Sequence, residues 1–342
     1  MSALPAAARI LVLEVAGLGD NVHLLPALWR VRQAWPGATL HVCAAQGTAE
    51  LFRLTPWVDR VWPYPWNPRP GLAAHVAFGL RLRRERFDLA INFSGSDRTT
   101  LLTRLTGAPQ RWGRRPHDGG MAGFGWFYTR VLEHPFYAEP MFRQKWQCLR
   151  DQGLPAGAAP EFHVEIPPEL RRRAGIEPAD EGRYLHVSPF TTADRRELPP
   201  EQLAALLAGL RRQFPQYRLA VSCAPTERER GKLAALLARL DAPPWKVFAG
   251  TLDIPALAAV IERAALNVCG DTGSLHLALM TGTPAVAWFR KHAHDAEREW
   301  TPPGPRYRVL VSDQGSDRAL AGIDTAALLG AARELLENNE AR

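Results

Sequence analysis

The chain has 342 residues and little that would tie it to a membrane, a metal or an oxidising compartment. No segment approaches the 18 or so uninterrupted apolar residues that a bilayer-spanning helix needs. The opening stretch MSALPAAARILVLEV lacks a basic n-region and runs straight into a strand pattern, so a signal peptide is not expected. There are only 4 cysteines, at positions 43, 148, 223 and 269, with no CxxC pair among them. Such spacing predicts reduced thiols in a cytoplasmic protein rather than a disulfide framework. HExxH, Walker A and Cys/His metal-ligand patterns are missing, and no metal site is expected.

What is present is the composition of a soluble globular protein, 46% hydrophobic and 23% charged. The net charge of +7 is unevenly placed. Residues 1–160 hold 19 Lys and Arg against 11 Asp and Glu, whereas the remainder holds 23 against 24. A basic first half suits an anionic partner or reflects an arginine-rich composition, and its arginines form no nucleic-acid motif.

Strand and helix patterns alternate through both halves. In the first, RILVLEV (9–15), ATLHVC (38–43), DRVWPY (59–64) and DLAINFSG (88–95) read as strands. Residues 21–37 and 75–87 read as helices, 96–125 as loop with a short helix, and 127–154 as a helical stretch broken near Pro135. Pro155 to Pro178 reads as a linker. The rhythm then restarts with strands at 184–189, 217–223, 245–250, 265–270 and 285–289, and with helices between them. This predicts an α/β chain of two Rossmann-like parallel-sheet domains facing a central cleft: 1–165, then 179–320, with a C-terminal helix at 321–342 that could pack back on the first.

Four turns carry candidate chemistry. In Gly17-Leu18-Gly19-Asp20-Asn21-Val22-His23, valine stands where GxGxxG requires glycine, so dinucleotide binding fits poorly. Asp20 at a helix start could take a proton from an attacking hydroxyl, or serve only as an N-cap. Gly19 and His23 flank it. In Ser188 to Pro199, the hydroxyls of Thr191 and Thr192 and the guanidiniums of Arg195 and Arg196 could hold a diphosphate. Glu227 follows another strand and could accept ribose hydroxyls, or favour a helix dipole. In Asp271-Thr272-Gly273, a strand-to-helix turn offers backbone N–H groups to phosphate. Asp271 itself is anionic and suits sugar hydroxyls or a cationic partner, or serves only as an N-cap before a glycine turn. His276, one turn on, reads as a packed helix residue. Three phosphate- or sugar-competent turns in one half and an acid in the other fit a nucleotide-sugar transferase.

At this point the residues resemble a known family. GLGDNVHLLPALWRVRQAWPGA is similar to the opening of glycosyltransferase family 9, the heptosyltransferases of lipopolysaccharide core synthesis, and DTGSLHLALMTGTPAVAWF resembles its second signature. The resemblance implies the GT-B fold, an inverting, metal-independent transfer, a donor in the second domain and an acceptor in the first. It makes Asp20 the base, with Gly19 and His23 on the acceptor side. It places Thr191, Thr192, Arg196, Glu227, Asp271, Thr272, Gly273 and His276 at the donor. ADP-heptose is the implied donor substrate, with no cofactor. An anionic glycolipid or glycan is the implied acceptor, approached from the cytoplasmic face of the inner membrane. The chain departs from the family pattern in three places: Arg196 replaces lysine, Cys223 replaces glycine, and after Phe289 the run Arg290-Lys291-His292 replaces Gly-Pro-Thr. A transferase using another nucleotide-sugar and a non-catalytic nucleotide-sugar-binding protein are the alternatives. An epimerase of the same architecture would need a second acid or base, for which His23, Glu14 and Glu197 are available.

Overall fold

The computed structural model describes residues 4–65, 68, 70–116, 120, 122–133, 139–154, 160–291, 296–301 and 304–340. The chain divides into two compact units, Met1–Glu165 and Ile166–Arg342. The division falls within the stretch read as a linker, whose residues 155–159 lie outside the described set, as do Pro135 and His292.

The first unit runs β1 (Arg9–Glu14), α1 (Leu18–Val22), α2 (Leu25–Ala34), β2 (Thr39–Ala45), β3 (Arg60–Tyr64), α3 (Leu72–Arg83), β4 (Leu89–Asn92), α4 (Asp97–Leu105), β5 (Gln110–Arg114), β6 (Arg130–Leu132) and α5 (Met141–Arg150). Its six strands are parallel in the order β3-β2-β1-β4-β5-β6. β1 is a continuous apolar run because helices cover both faces of a parallel sheet, and Ile10 to Leu13 are wholly buried. The single helix expected over 21–37 is instead two. α1 ends at Val22, and Pro26, which has no N–H to donate, falls in the first turn of α2. β5 and β6 lie in stretches read as loop and helix. The only apolar side chain in QRWGR is Trp112, and RVL is three residues long, so neither carries a strand pattern of useful length.

The second unit runs α6 (Pro168–Arg173), β7 (Tyr184–Ser188), α7 (Pro200–Gln213), β8 (Arg218–Cys223), α8 (Glu227–Leu237), β9 (Lys246–Ala249), α9 (Ile254–Glu262), β10 (Leu266–Gly270), α10 (Gly273–Thr281), β11 (Ala285–Arg290), α11 (Ala296–Trp300), β12 (Tyr307–Ser312) and α12 (Thr325–Glu340). Its sheet, again parallel, has the order β12-β11-β10-β7-β8-β9. α10 stops at Gly282, which takes the left-handed conformation (φ 73°) that favours glycine after a helix. α12 contributes to the core of the unit to which it belongs. Leu328, Leu329, Ala332, Leu335 and Leu336 join the second unit's own core with Leu206, Leu210, Val286 and Trp288. Burying that apolar face there satisfies the helix locally.

Counted in chain order, both sheets have the same 3-2-1-4-5-6 arrangement. In each, the order reverses between the first and fourth strands, β1/β4 and β7/β10. In open parallel sheets the loops leaving such a pair diverge and leave a crevice for ligands.

Candidate functional site

The loop after β1 stands at the first reversal point. Gly17 caps α1, so Asp20 is the third residue of the helix and not its N-cap. A carboxylate in a first helical turn is favoured by the helix dipole. The turn is held from behind by buried Asn21, whose Nδ2 donates to Gly17 O at 2.9 Å and to Thr48 Oγ1 at 3.1 Å. The neighbouring strand end contributes Ser94, whose hydroxyl accepts the Val15 N–H at 2.6 Å. Asp20 is half-buried, and its carboxylate lies over Gly17.

Behind Asp20 lies a buried ion pair that the sequence reading missed. Lys145 Nζ of α5 sits 2.8 Å from Glu14 Oε2 at the end of β1, with both side chains 2% exposed. The same ammonium donates to the Asp20 carbonyl at 2.9 Å. Burial raises the Glu14 pKa; the Lys145 charge opposes that rise and the Asp20 charge adds to it. Arg114, also buried, donates to Gln144 Oε1 at 2.6 Å. His23 is fully buried, and its Nδ1 accepts the Phe142 N–H at 3.1 Å, so it packs between α1 and α5.

At the second reversal point the loops after β7 and β10 meet. Arg196 Nη1 lies 3.0 Å from Asp271 Oδ2. Asp271 therefore has a cationic partner from within the chain. Thr272, not Asp271, is the N-cap of α10, and its extended backbone (φ −149°) presents the helix start. Gly270 permits the approach, since a Cβ there would lie 2.8 Å from Thr191 Cγ2 and 2.9 Å from Trp288 Nε1. Trp288 Nε1 donates to the Arg196 carbonyl at 3.2 Å.

The Thr191 hydroxyl is turned inward: it donates to Ala193 O at 2.8 Å and accepts the Ala193 N–H at 3.2 Å. Thr192 is exposed. Glu197 is buried and accepts the Thr191 N–H at 2.9 Å, Lys232 Nζ at 2.6 Å and Arg228 Nη2 at 2.5 Å. Arg228 and Lys232 of α8 also bind Asp194, which holds that carboxyl below its usual range. The TTADRRE loop is thus clamped onto α8 by a charge network. Its signal was present as an i, i+4 pair of cations in TERERGK. Glu14 and Glu197, offered for an epimerase, are both buried against cations.

Glu227, the first residue of α8, is exposed. His276 is buried in α10 edge-on to Trp300, and burial holds its pKa down at about 4. Neutral and enclosed, it supports α10 from inside. Arg290 Nη1 donates to Ser316 O at 2.9 Å, so the arginine in the departing Phe-Arg-Lys stretch ties down the loop after β12. The four cysteines are unbonded, and Cys223 at the end of β8 is half-buried. Among the described residues no group of three or more His, Cys, Asp or Glu is placed to hold a metal ion, and no helix is long and apolar enough to cross a membrane.

A model of glycosyltransferase family 9 (heptosyltransferase) matches residues 75–320. Lipopolysaccharide heptosyltransferase 1 of Escherichia coli strain K12 is 26% identical over 305 residues, covering 82% of this chain and 87% of that protein. A glycosyl transferase family 9 structure from Veillonella parvula DSM 2008 superposes with a TM-score of 0.80 at 18% identity, over 97% of each chain. Heptosyltransferase WaaC of E. coli, solved with ADP-2-deoxy-2-fluoro heptose, gives 0.72 at 21% identity, over 97% of this chain and 99% of that one. Those structures share the two-sheet GT-B fold.

Proposed function

This chain belongs to glycosyltransferase family 9, and from that premise we propose that it transfers heptose from ADP-heptose to a lipopolysaccharide-core-type acceptor with inversion and without a metal. The observation that carries the reading is the placement of the motif residues. The acid lies at the reversal point of the first sheet, and the Arg196–Asp271 pair with the opening of α10 lies at that of the second. The similarity to heptosyltransferases, one of them solved with an ADP-heptose analogue, supports the donor.

In this mechanism the acceptor hydroxyl gives its proton to the Asp20 carboxylate as its oxygen attacks the anomeric carbon. The bond to the nucleoside diphosphate breaks from the opposite face, which inverts the centre. Charge growing on the leaving phosphate is met by Arg196, the Thr192 hydroxyl and the free N–H groups at the start of α10, all set before reaction. Asp271 orients the guanidinium, Thr191 shapes the loop, and Glu227 takes the ribose hydroxyls. Cationic side chains fill the role a metal plays elsewhere, and the basic first half suits a phosphorylated glycolipid.

The test pairs donor binding with turnover. ADP should raise the melting temperature more than UDP, GDP or CMP do, with or without EDTA, because a ligand stabilises the state it binds. Asp20→Ala should keep that shift and lose transfer from ADP-heptose. A UDP or GDP preference would remove heptose from the reading. Binding without turnover on any core-type acceptor would leave a nucleotide-sugar-binding protein, and loss of the ADP shift in Asp20→Ala would make Asp20 a structural residue.

A further inference from the structure

The outward face of α3 is built unlike a solvated helix. Its inward face buries His75, Phe78, Gly79 and Leu82. At 100° per residue the opposite face carries Leu72, Ala73, Val76, Ala77 and Leu80, with Leu72 70% and Leu80 48% exposed. No acidic side chain interrupts residues 72–84. A helix face turned to water ordinarily carries charged and polar residues. Here the only charges are cations gathered at one end: Arg81, Arg83 and Arg84, all exposed, with exposed Arg86 just beyond. Glu85, the one carboxylate among them, is taken by Arg9 and Arg60 from neighbouring strands.

We propose that this face docks the first unit onto an anionic lipid bilayer, Leu72 and Leu80 entering the interface while the arginines meet lipid phosphates. Charge complementarity selects that occupant. The cations have no acidic counterweight on their own face, and the first 160 residues carry the whole positive excess of the chain. The apolar strip, one helix wide and mostly alanine between its two leucines, is shallow, which fits insertion into an acyl boundary better than a knob-and-hole protein interface. Each arginine near an anionic surface raises the affinity roughly fivefold. The inference goes beyond sugar transfer and does not depend on which donor is used.

Vesicle flotation of the full chain tests it, using phosphatidylcholine vesicles with and without phosphatidylglycerol. The wild type should float with the anionic vesicles only, and less as salt is raised. Arg81→Glu/Arg84→Glu and Leu72→Ser/Leu80→Ser should each reduce binding at least about tenfold while leaving the ADP-induced melting shift intact. All four side chains are exposed, so the fold should tolerate both pairs. The proposal is overturned if the wild type stays unbound, if it binds neutral vesicles equally, or if both double variants float like the wild type. A wild-type dimer dissolved by Leu72→Ser/Leu80→Ser would make a second copy the occupant and overturn it too. Lost docking with an unchanged ADP shift would leave the transfer reading standing, and the converse would leave the docking surface.

Discussion

Arg196 and Asp271, 75 positions apart in sequence, meet at 3.0 Å across the two loops that leave the reversal point of the second sheet. The pair is only partly buried, so its worth to the fold is small, on the order of 0–1 kcal/mol. Its value lies in holding a guanidinium beside the start of α10.

Arg196→Ala and Asp271→Asn should therefore separate stability from activity. Urea unfolding should shift by no more than about 1 kcal/mol, whereas the transfer rate should fall by about 10²–10³-fold, as when one preset donor to a developing charge is lost. Equal loss in both readouts would make the pair a structural tie.

Lys145→Met should destabilise the first unit by about 3–5 kcal/mol, because it strands Glu14 as a buried, unpaired carboxylate. Adding Glu14→Gln should restore much of that loss. A double-mutant cycle in urea measures the coupling, and additive losses would contradict the pairing.

Gly270→Ala should cost about 1–3 kcal/mol, as overpacking does. The new Cβ would press on Thr191 and on Trp288, whose Nε1 donates to the Arg196 carbonyl. The ADP melting shift should shrink with it, whereas Gly231→Ala, inside α8 with open space at its Cβ, should stabilise by about 0.5–1 kcal/mol and leave the ADP shift unchanged.

His186 and His276 are both held at about 4, against an ordinary value of 6.5, chiefly by burial. Their native forms are neutral, so below about 6.5 the unfolded chain binds protons that the folded chain does not. Stability should consequently be intact above that pH and fall between about 6.5 and 4, each histidine contributing a slope of about 1.4 kcal/mol per pH unit. His276→Leu should flatten the acid limb of unfolding measured across that window by about one proton. An unchanged slope would show that His276 is protonated in the native state.

Much of the fold was legible because buried parallel strands announce themselves as short apolar runs. RILVLEV, YLHVSP and LNVCG each became an inner strand beside a reversal point. The outer strands were harder to read. β6 is three residues long, and β12 lies at an edge, its Val-Leu-Val run only partly covered and flanked by Arg308 and Ser312. The turns bearing Asp20, Arg196 and Asp271 were legible from glycine, threonine and charge beside those strands.

The sequence by itself determined the two α/β halves, the turns that end their central strands and the family to which they belong, since these depend on local periodicity and on motifs written in consecutive residues. Only the tertiary structure decided what each charged side chain faces. Lys145 stands 131 residues from Glu14 in sequence yet shares its buried site, and Lys232 and Arg228 of one helix capture Glu197 of a loop before it. The cost of burying a charge is met by whichever opposite charge the chain topology delivers, and residue spacing alone does not reveal that partner.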